Sequence, residues 1–181
     1  MAPDPSHRTI AHEVHKAYME CALIQARLSP PASNKFCVGA VLVDADKNEI
    51  LSTGYSLELG RDRPGDPGST HAEHCCFIKV AEQNGVSDGQ VLEVLPQNTV
   101  LYTTMEPCNQ RLSGNRTCVE RILKLKDKIK LVVIGIPEPG IFIALNEGRK
   151  RLEDAGVTVF QIEGMQDRIL KASTAGHERR G

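Results

Sequence analysis

Apolar residues near the start of the chain recur every three or four positions. In "TIAHEVHKAYMECALIQARL" (9–28), Ile10, Val14, Tyr18, Cys21 and Leu28 fall on one side of a helix, with Gln25 as a polar intruder, and Ser29-Pro30-Pro31 stops it. The pattern then changes. "VGAVLVD" (38–44) and "EILSTGY" (49–55) are β-rich runs flanking the turn-forming "DADKN", which predicts a hairpin. The segment "GRDRPGDPGS" (60–69) reads as a surface loop, and a helix is expected from His71 to about Asn84, ended by Gly85. Strands and helices alternate from there: strand 99–104, helix from Cys118 to about Lys126, strand 130–136, helix 146–155 closed by Gly156, strand 157–162. "KLVVIGI" is apolar almost throughout, as expected of a strand covered on both faces. Beyond Gly164 the pattern predicts a short helix and then a disordered end, "STAGHERRG".

This order predicts an α/β fold, a three-layer αβα sandwich around a mixed sheet of about five strands. The 181 residues suit one domain, for which roughly 100–200 is usual. We expect a flexible tail over 1–8, the domain over 9–163 and a C-terminal helix and tail over 164–181. No internal repeat or low-complexity tract interrupts the pattern.

Composition narrows the setting. No apolar run approaches the length of about 20 that spans a bilayer, and the first residues lack the apolar core of a secretory signal. A cytoplasmic location and no membrane partner are therefore expected. In that reducing setting the six cysteines read as free thiols or metal ligands, with Cys21 and Cys37 as small core residues. A net charge of −1, 4 % aromatic residues and no Trp make nucleic acid an unlikely partner.

Two stretches carry the chemistry: "STHAEHCC" (69–76) and "TTMEPCNQRLSGNRTCVERI" (103–122). Thr70-His71-Ala72-Glu73 and Thr117-Cys118-Val119-Glu120 both fit the capping-box pattern, which would put His71 and Cys118 each at the first position of a helix. Side chains there lean toward the helix start, so both reach one ion beyond the two ends, and Cys108 at a strand end completes three ligands. Three N/S ligands leave a fourth position for water, the catalytic arrangement of zinc, in which the metal lowers the pKa of that water to roughly 7. Glu73, two residues from His71, is the natural group to carry the protons. Glu73 as a mere cap is the plain alternative, and His74 is expected to be a surface or hydrogen-bonded helix residue, not a ligand; Cys75 and Cys76 are expected to point into the core.

His71-Ala72-Glu73 with Pro107-Cys108 and Cys118 resembles the zinc-dependent cytidine-deaminase superfamily, whose signature is H-x-E…P-C-x-x-C. "FCVGA" (36–40) and "TMEPC" (104–108) look like that superfamily's first-strand and strand-to-helix motifs. The resemblance covers roughly 9–162 and implies a cytidine-deaminase-like fold. It also implies Zn2+ held by His71, Cys108 and Cys118, with Glu73 as the proton shuttle. Nine residues separate the two cysteines where the common form has two; a longer spacing occurs in the riboflavin-pathway pyrimidine deaminases. "GYS…THAEHC…VLYTTMEPCNQRLSGNRTCVERIL" looks most like the fungal branch of these. The implied reaction is hydrolytic deamination of 2,5-diamino-6-ribitylamino-4(3H)-pyrimidinone 5′-phosphate by a stand-alone deaminase, with a homodimer as the default state. Alternatives are a nucleotide, nucleobase or tRNA-adenosine deaminase, or a non-catalytic zinc-stabilised partner subunit.

For the substrate, the loop between the cysteines supplies Arg111, Ser113, Asn115 and Arg116, a set suited to a phosphate and a polyhydroxylated chain. Gly114 would let that loop turn tightly. Asn34, just before the first-strand motif, is a further candidate for substrate contact, and Arg61 and Arg63 come after these.

Overall fold

Alternation along the strands builds the sheet. In β1 (Gly39–Asp44), Ala40 and Leu42 join one buried cluster while Val41 and Val43 join the other. Leu101 is set against Val100 and Tyr102 in β3 (Thr99–Met105), and Val132 and Ile134 against Val133 in β4 (Ile129–Ile136), in the same way. With β2 (Glu49–Tyr55) and β5 (Thr158–Gln161) at the edges, the order is β2-β1-β3-β4-β5. β1 runs antiparallel to β2 and β3, whereas β3, β4 and β5 are parallel. The computed structural model describes residues 12–59, 70–142 and 145–177.

Each cluster is closed by helices, so the expected three-layer sandwich forms. On one face lie α1 (His12–Leu28) and α6 (Gln166–Ser173). The other face carries α2 (Ala72–Gln83), α3 (Val91–Val94), α4 (Cys118–Lys124) and α5 (Gly148–Asp154). Parallel β3 and β4 are joined through α4, and β4 and β5 through α5, as a crossover requires. Among the described residues no helix is long and apolar enough to cross a membrane.

Two expectations need correction, and one segment has no reading in the sequence. The buried face of α1 is His15, Tyr18, Met19, Ala22, Leu23 and Ala26; of the expected stripe Tyr18 is on it, Val14 and Cys21 pack at its edge, and Leu28 is 56 % exposed. Close approach decides this: a Cβ on Gly39 would stand 1.9 Å from the Ala22 carbonyl oxygen, so only small residues fit where α1 crosses β1. The segment 88–94 forms a 3-10 turn and α3, too short to show a helical period. Finally, the end of the chain is ordered further than its composition implies. Gly176, at φ +87°, packs against Pro31 and Ala32, and His177 Nε2 lies 2.7 Å from the Lys35 carbonyl oxygen. The expected N-terminal tail and the 60–69 loop with Arg61 and Arg63 lie outside the described residues.

Candidate active site

The carboxyl ends of parallel β3 and β4 open into a cleft of about 230 Å³, the place where α/β sheets bind ligands. The chain entering β1, antiparallel to β3, arrives at the same end, so residues 34–38 form a third wall.

His71 and Cys118 reach this cleft from two helix starts, but by different routes. Thr117 caps α4: its side chain accepts from the Glu120 N–H, and the Glu120 carboxylate accepts from the Thr117 N–H. Cys118 is thus the first residue of its helix, as the capping pattern predicts. No such box forms at Thr70. His71 itself is the N-cap of α2, with extended backbone (φ −75°, ψ 158°) and no side-chain cap bond. The Glu73 carboxyl does not cap Thr70; it goes into the site. There it is 3 % exposed, with Oε1 3.2 Å from Thr103 Oγ1 and Oε2 3.4 Å from Cys118 Sγ.

Cys108 sits just past β3, and the first turn of α4 holds it twice. The Cys118 N–H donates to Cys108 Sγ at 3.3 Å, and the Val119 N–H donates to the Cys108 carbonyl at 3.1 Å. His71 Nδ1 stands 3.5 Å from Cys108 Sγ and 3.4 Å from Cys118 Sγ. The three donor atoms all lie within 4.8 Å of one another. One imidazole nitrogen and two sulfurs from separate backbone supports form a set suited to zinc, and one short of a closed structural site.

The electrostatics agree with that use. A bond from the Cys118 thiol, together with His71 and the Cys118 N–H, holds Cys108 well below the ordinary thiol range despite its burial. The same bond and burial push the Cys118 thiol up. Burial raises the Glu73 carboxyl above its usual range, against the opposing field of His71. A buried carboxyl shifted in this direction, beside a set of metal-ligating side chains, has the placement of a proton carrier. Cys75 and Cys76 are fully buried, and burial lifts the Cys75 thiol to about 12, which makes it inert. His74 is buried rather than at the surface and pairs with Asp88 at 2.7 Å.

The structure divides the substrate-contact candidates. Asn34, Arg111 and Ser113 line the cleft; Asn115 and Arg116 do not. Gly114, at φ +77°, closes a turn with its N–H on the Arg111 carbonyl, and Arg111 Nη1 donates to the Arg116 carbonyl at 3.2 Å. Arg116 is exposed, and its charge is felt at Asp88. Burial raises that carboxyl, but the bond from His74 and the charges of Arg121 and Arg116 bring it below its ordinary range.

Sequence reading passed over several lining residues: Lys35, Glu106, Glu138 and Phe142. Burial lifts Glu138 to about 7. Its Oε2 accepts from Asn146 Nδ2 at 2.6 Å, and the same amide nitrogen reaches the Pro107 carbonyl at 3.0 Å, beside Cys108. The available signal was positional: Glu106 and Glu138 each follow the carboxyl end of a parallel strand.

Residues 12–136 match the model of the cytidine and deoxycytidylate deaminase zinc-binding region, and the chain belongs to that family. It is 39 % identical over 163 residues to the diaminohydroxyphosphoribosylamino-pyrimidine deaminase of Schizosaccharomyces pombe. The match takes in 90 % of this chain but only 36 % of that protein, so the chain spans about a third of the length of this relative. The Rib2 deaminase of Aspergillus oryzae, solved in complex with DARIPP, superposes with a TM-score of 0.80 at 37 % identity, covering 92 % of this chain and 93 % of that one. The Thermotoga maritima deaminase/reductase shares the fold at 22 % identity and TM-score 0.65, over 90 % of this chain and 40 % of that one.

Proposed function

We propose that this chain hydrolytically deaminates 2,5-diamino-6-ribitylamino-4(3H)-pyrimidinone 5′-phosphate, with His71, Cys108 and Cys118 as zinc ligands and Glu73 as the proton carrier. The observation that carries the reading is the Glu73 carboxyl, buried and 3.4 Å from the sulfur of one proposed ligand. A metal that only stabilised the fold would have no use for a proton carrier there, which argues against a non-catalytic partner subunit. The similarity to the Rib2 deaminase over nearly the whole chain favours a riboflavin-pathway substrate over a cytidine or tRNA substrate.

When bound, the metal supplies a water acidified enough to act at neutral pH. The chain's residues do the rest. Water adds its oxygen to the ring carbon bearing the amino group, and ammonia leaves from the same carbon. Glu73 takes a proton from the water and delivers it to a ring nitrogen; the leaving amine takes the second. Thr103 Oγ1, itself 3.0 Å from the Met105 carbonyl, steadies Oε1 through these transfers. Arg111, with Ser113 and Asn34, faces the side where the phosphorylated chain would lie.

A ribosylamino substrate is the second reading, favoured by the phosphoribosylamino substrate for which the S. pombe relative is named. Ammonia release across a panel decides: the ribitylamino-pyrimidine phosphate, its ribosylamino form, dCMP, cytidine and guanine. Turnover of cytidine or dCMP above both pyrimidinone phosphates would overturn the proposal. A homodimer in the cytoplasm belongs to the same reading, and sizing by light scattering tests the dimer.

A further inference from the structure

The end of the chain returns to the cleft. After α6, the Ser173 carbonyl accepts from the Cys37 N–H at 2.9 Å, and Gly176 packs so closely that a Cβ there would lie 2.6 Å from Ala32 N. His177 then meets both walls at once. Its Nε2 is 2.7 Å from the Lys35 carbonyl oxygen; a carbonyl only accepts, so Nε2 carries the proton. Its ring centroid is 5.5 Å from that of Phe36, which precedes β1, and 5.6 Å from that of Phe142, which follows β4. The two phenyl rings meet edge to face at 5.0 Å. Lys35, Phe36 and Phe142 line the cleft, whereas His177 does not.

We infer that His177 is a positioning residue: it ties the Lys35 backbone to the Phe36 and Phe142 rings and so fixes the apolar wall against which the substrate ring lies. Without it, these two segments would keep the Phe36–Phe142 ring contact but lose the side chain that bridges both. Lys35 Nζ, held at 2.8 Å by Ser29 Oγ, would lose the backbone anchor of its own residue. The proposed zinc ligands and Glu73 stand just past β3 and at the starts of α2 and α4, whereas the hydrogen bonds and ring contacts of His177 go to Lys35, Thr174, Phe36 and Phe142. Its effect should therefore fall on binding and leave the chemical step alone. The substrate part of this inference rests on the deaminase reading above.

The test is steady-state kinetics of the zinc-loaded full chain with the ribitylamino-pyrimidine phosphate, together with amide hydrogen exchange. His177→Ala should raise KM by about 3–10-fold, the scale of one lost hydrogen bond and its ring contacts, with kcat within about twofold and zinc content unchanged. His177→Gln, which can restore the bond, and His177→Phe, which can restore the ring contacts, should each recover part of the loss. Exchange should quicken at residues 34–38 and not in α2 or α4. Unchanged KM in His177→Ala, or equal losses of kcat and zinc, would overturn the assignment. If the wild type turns over no pyrimidinone phosphate, the deaminase reading fails instead. Exchange at 34–38 then still decides whether His177 holds the wall.

Discussion

The Cys118 N–H donates to Cys108 Sγ at 3.3 Å although nine residues separate the two cysteines. In a two-residue spacing one helical turn holds both sulfurs. Here the capped start of α4 does so through space, and the intervening loop is released to line the cleft. Helix starts stabilise negative charge, so the sulfur that accepts this N–H is also the one held below the usual thiol range.

Cys118→Ser is expected to lower zinc content and melting temperature together, because metal binding to the native state stabilises it. The Thr117–Glu120 box does not involve the Cys118 side chain, so α4 should still start in place. Metal analysis beside thermal melts checks this. Full zinc occupancy in the variant would remove Cys118 from the ligand set.

Glu73→Gln should keep fold and zinc yet lose about 10²–10⁴-fold in kcat, the usual contribution of a general acid–base group. Gln preserves the acceptor near Thr103 but carries no proton. Single-turnover rates with matched zinc content are the measurement, and a variant with more than about a tenth of wild-type rate would move the shuttle elsewhere.

The fold was largely legible because strands with both faces buried leave long apolar runs, and each helix between them has a polar side. The metal cluster was legible from two helix starts and one Pro-Cys. Several features were not. Thr70-x-x-Glu73 fits a capping pattern, but the buried Glu73 carboxyl is taken up by Thr103 at the cleft and no box forms. The buried face of α1 depends on the Ala22–Gly39 contact, which no periodicity within one helix can reveal. His177 and Phe142 meet Phe36 only through the third dimension, across more than a hundred residues of chain in each case.

Glu138 makes stability depend on pH in a predictable direction. Burial lifts its carboxyl to about 7 from the ordinary 4.5, with Cys108 and Glu106 adding and Asn146 and His71 opposing. The folded value lies above the unfolded one, so this contribution is fully present below about 4.5 and is lost as pH rises through about 7. Glu138→Gln keeps the acceptor for Asn146 and removes the titration. The metal-free variant should therefore melt above wild type at pH 8, with the gap shrinking toward pH 4.5. Bound zinc, a positive charge nearby, should shrink the gap at pH 8 as well. Melting curves over that range, with and without chelator, test it; a constant gap would mean Glu138 does not titrate there.

The loop arginines separate by position. Arg111 lines the cleft and its guanidinium is steadied on the Arg116 carbonyl, while Arg116 lies on the Asp88 side. A steadied guanidinium loses less freedom when it grips a phosphate through paired bonds. Arg111→Ala should therefore weaken discrimination between phosphorylated and dephosphorylated substrate by about 10–100-fold, the loss of roughly 1.5–3 kcal/mol for a hydrogen bond to a charged group. Arg116→Ala should change that ratio by less than about threefold, since exposed charge contacts are worth about 0–1 kcal/mol. Zinc content should stay constant in both. The measurement is the ratio of kcat/KM for the two substrates in each variant. Lys35, the other cation lining the cleft among the described residues, supplies the contrast: its Nζ already has Ser29 Oγ as a partner at 2.8 Å. If Lys35→Ala collapses the ratio and Arg111→Ala leaves it untouched, the phosphate lies against the segment before β1 and the loop between the cysteines serves only to space them.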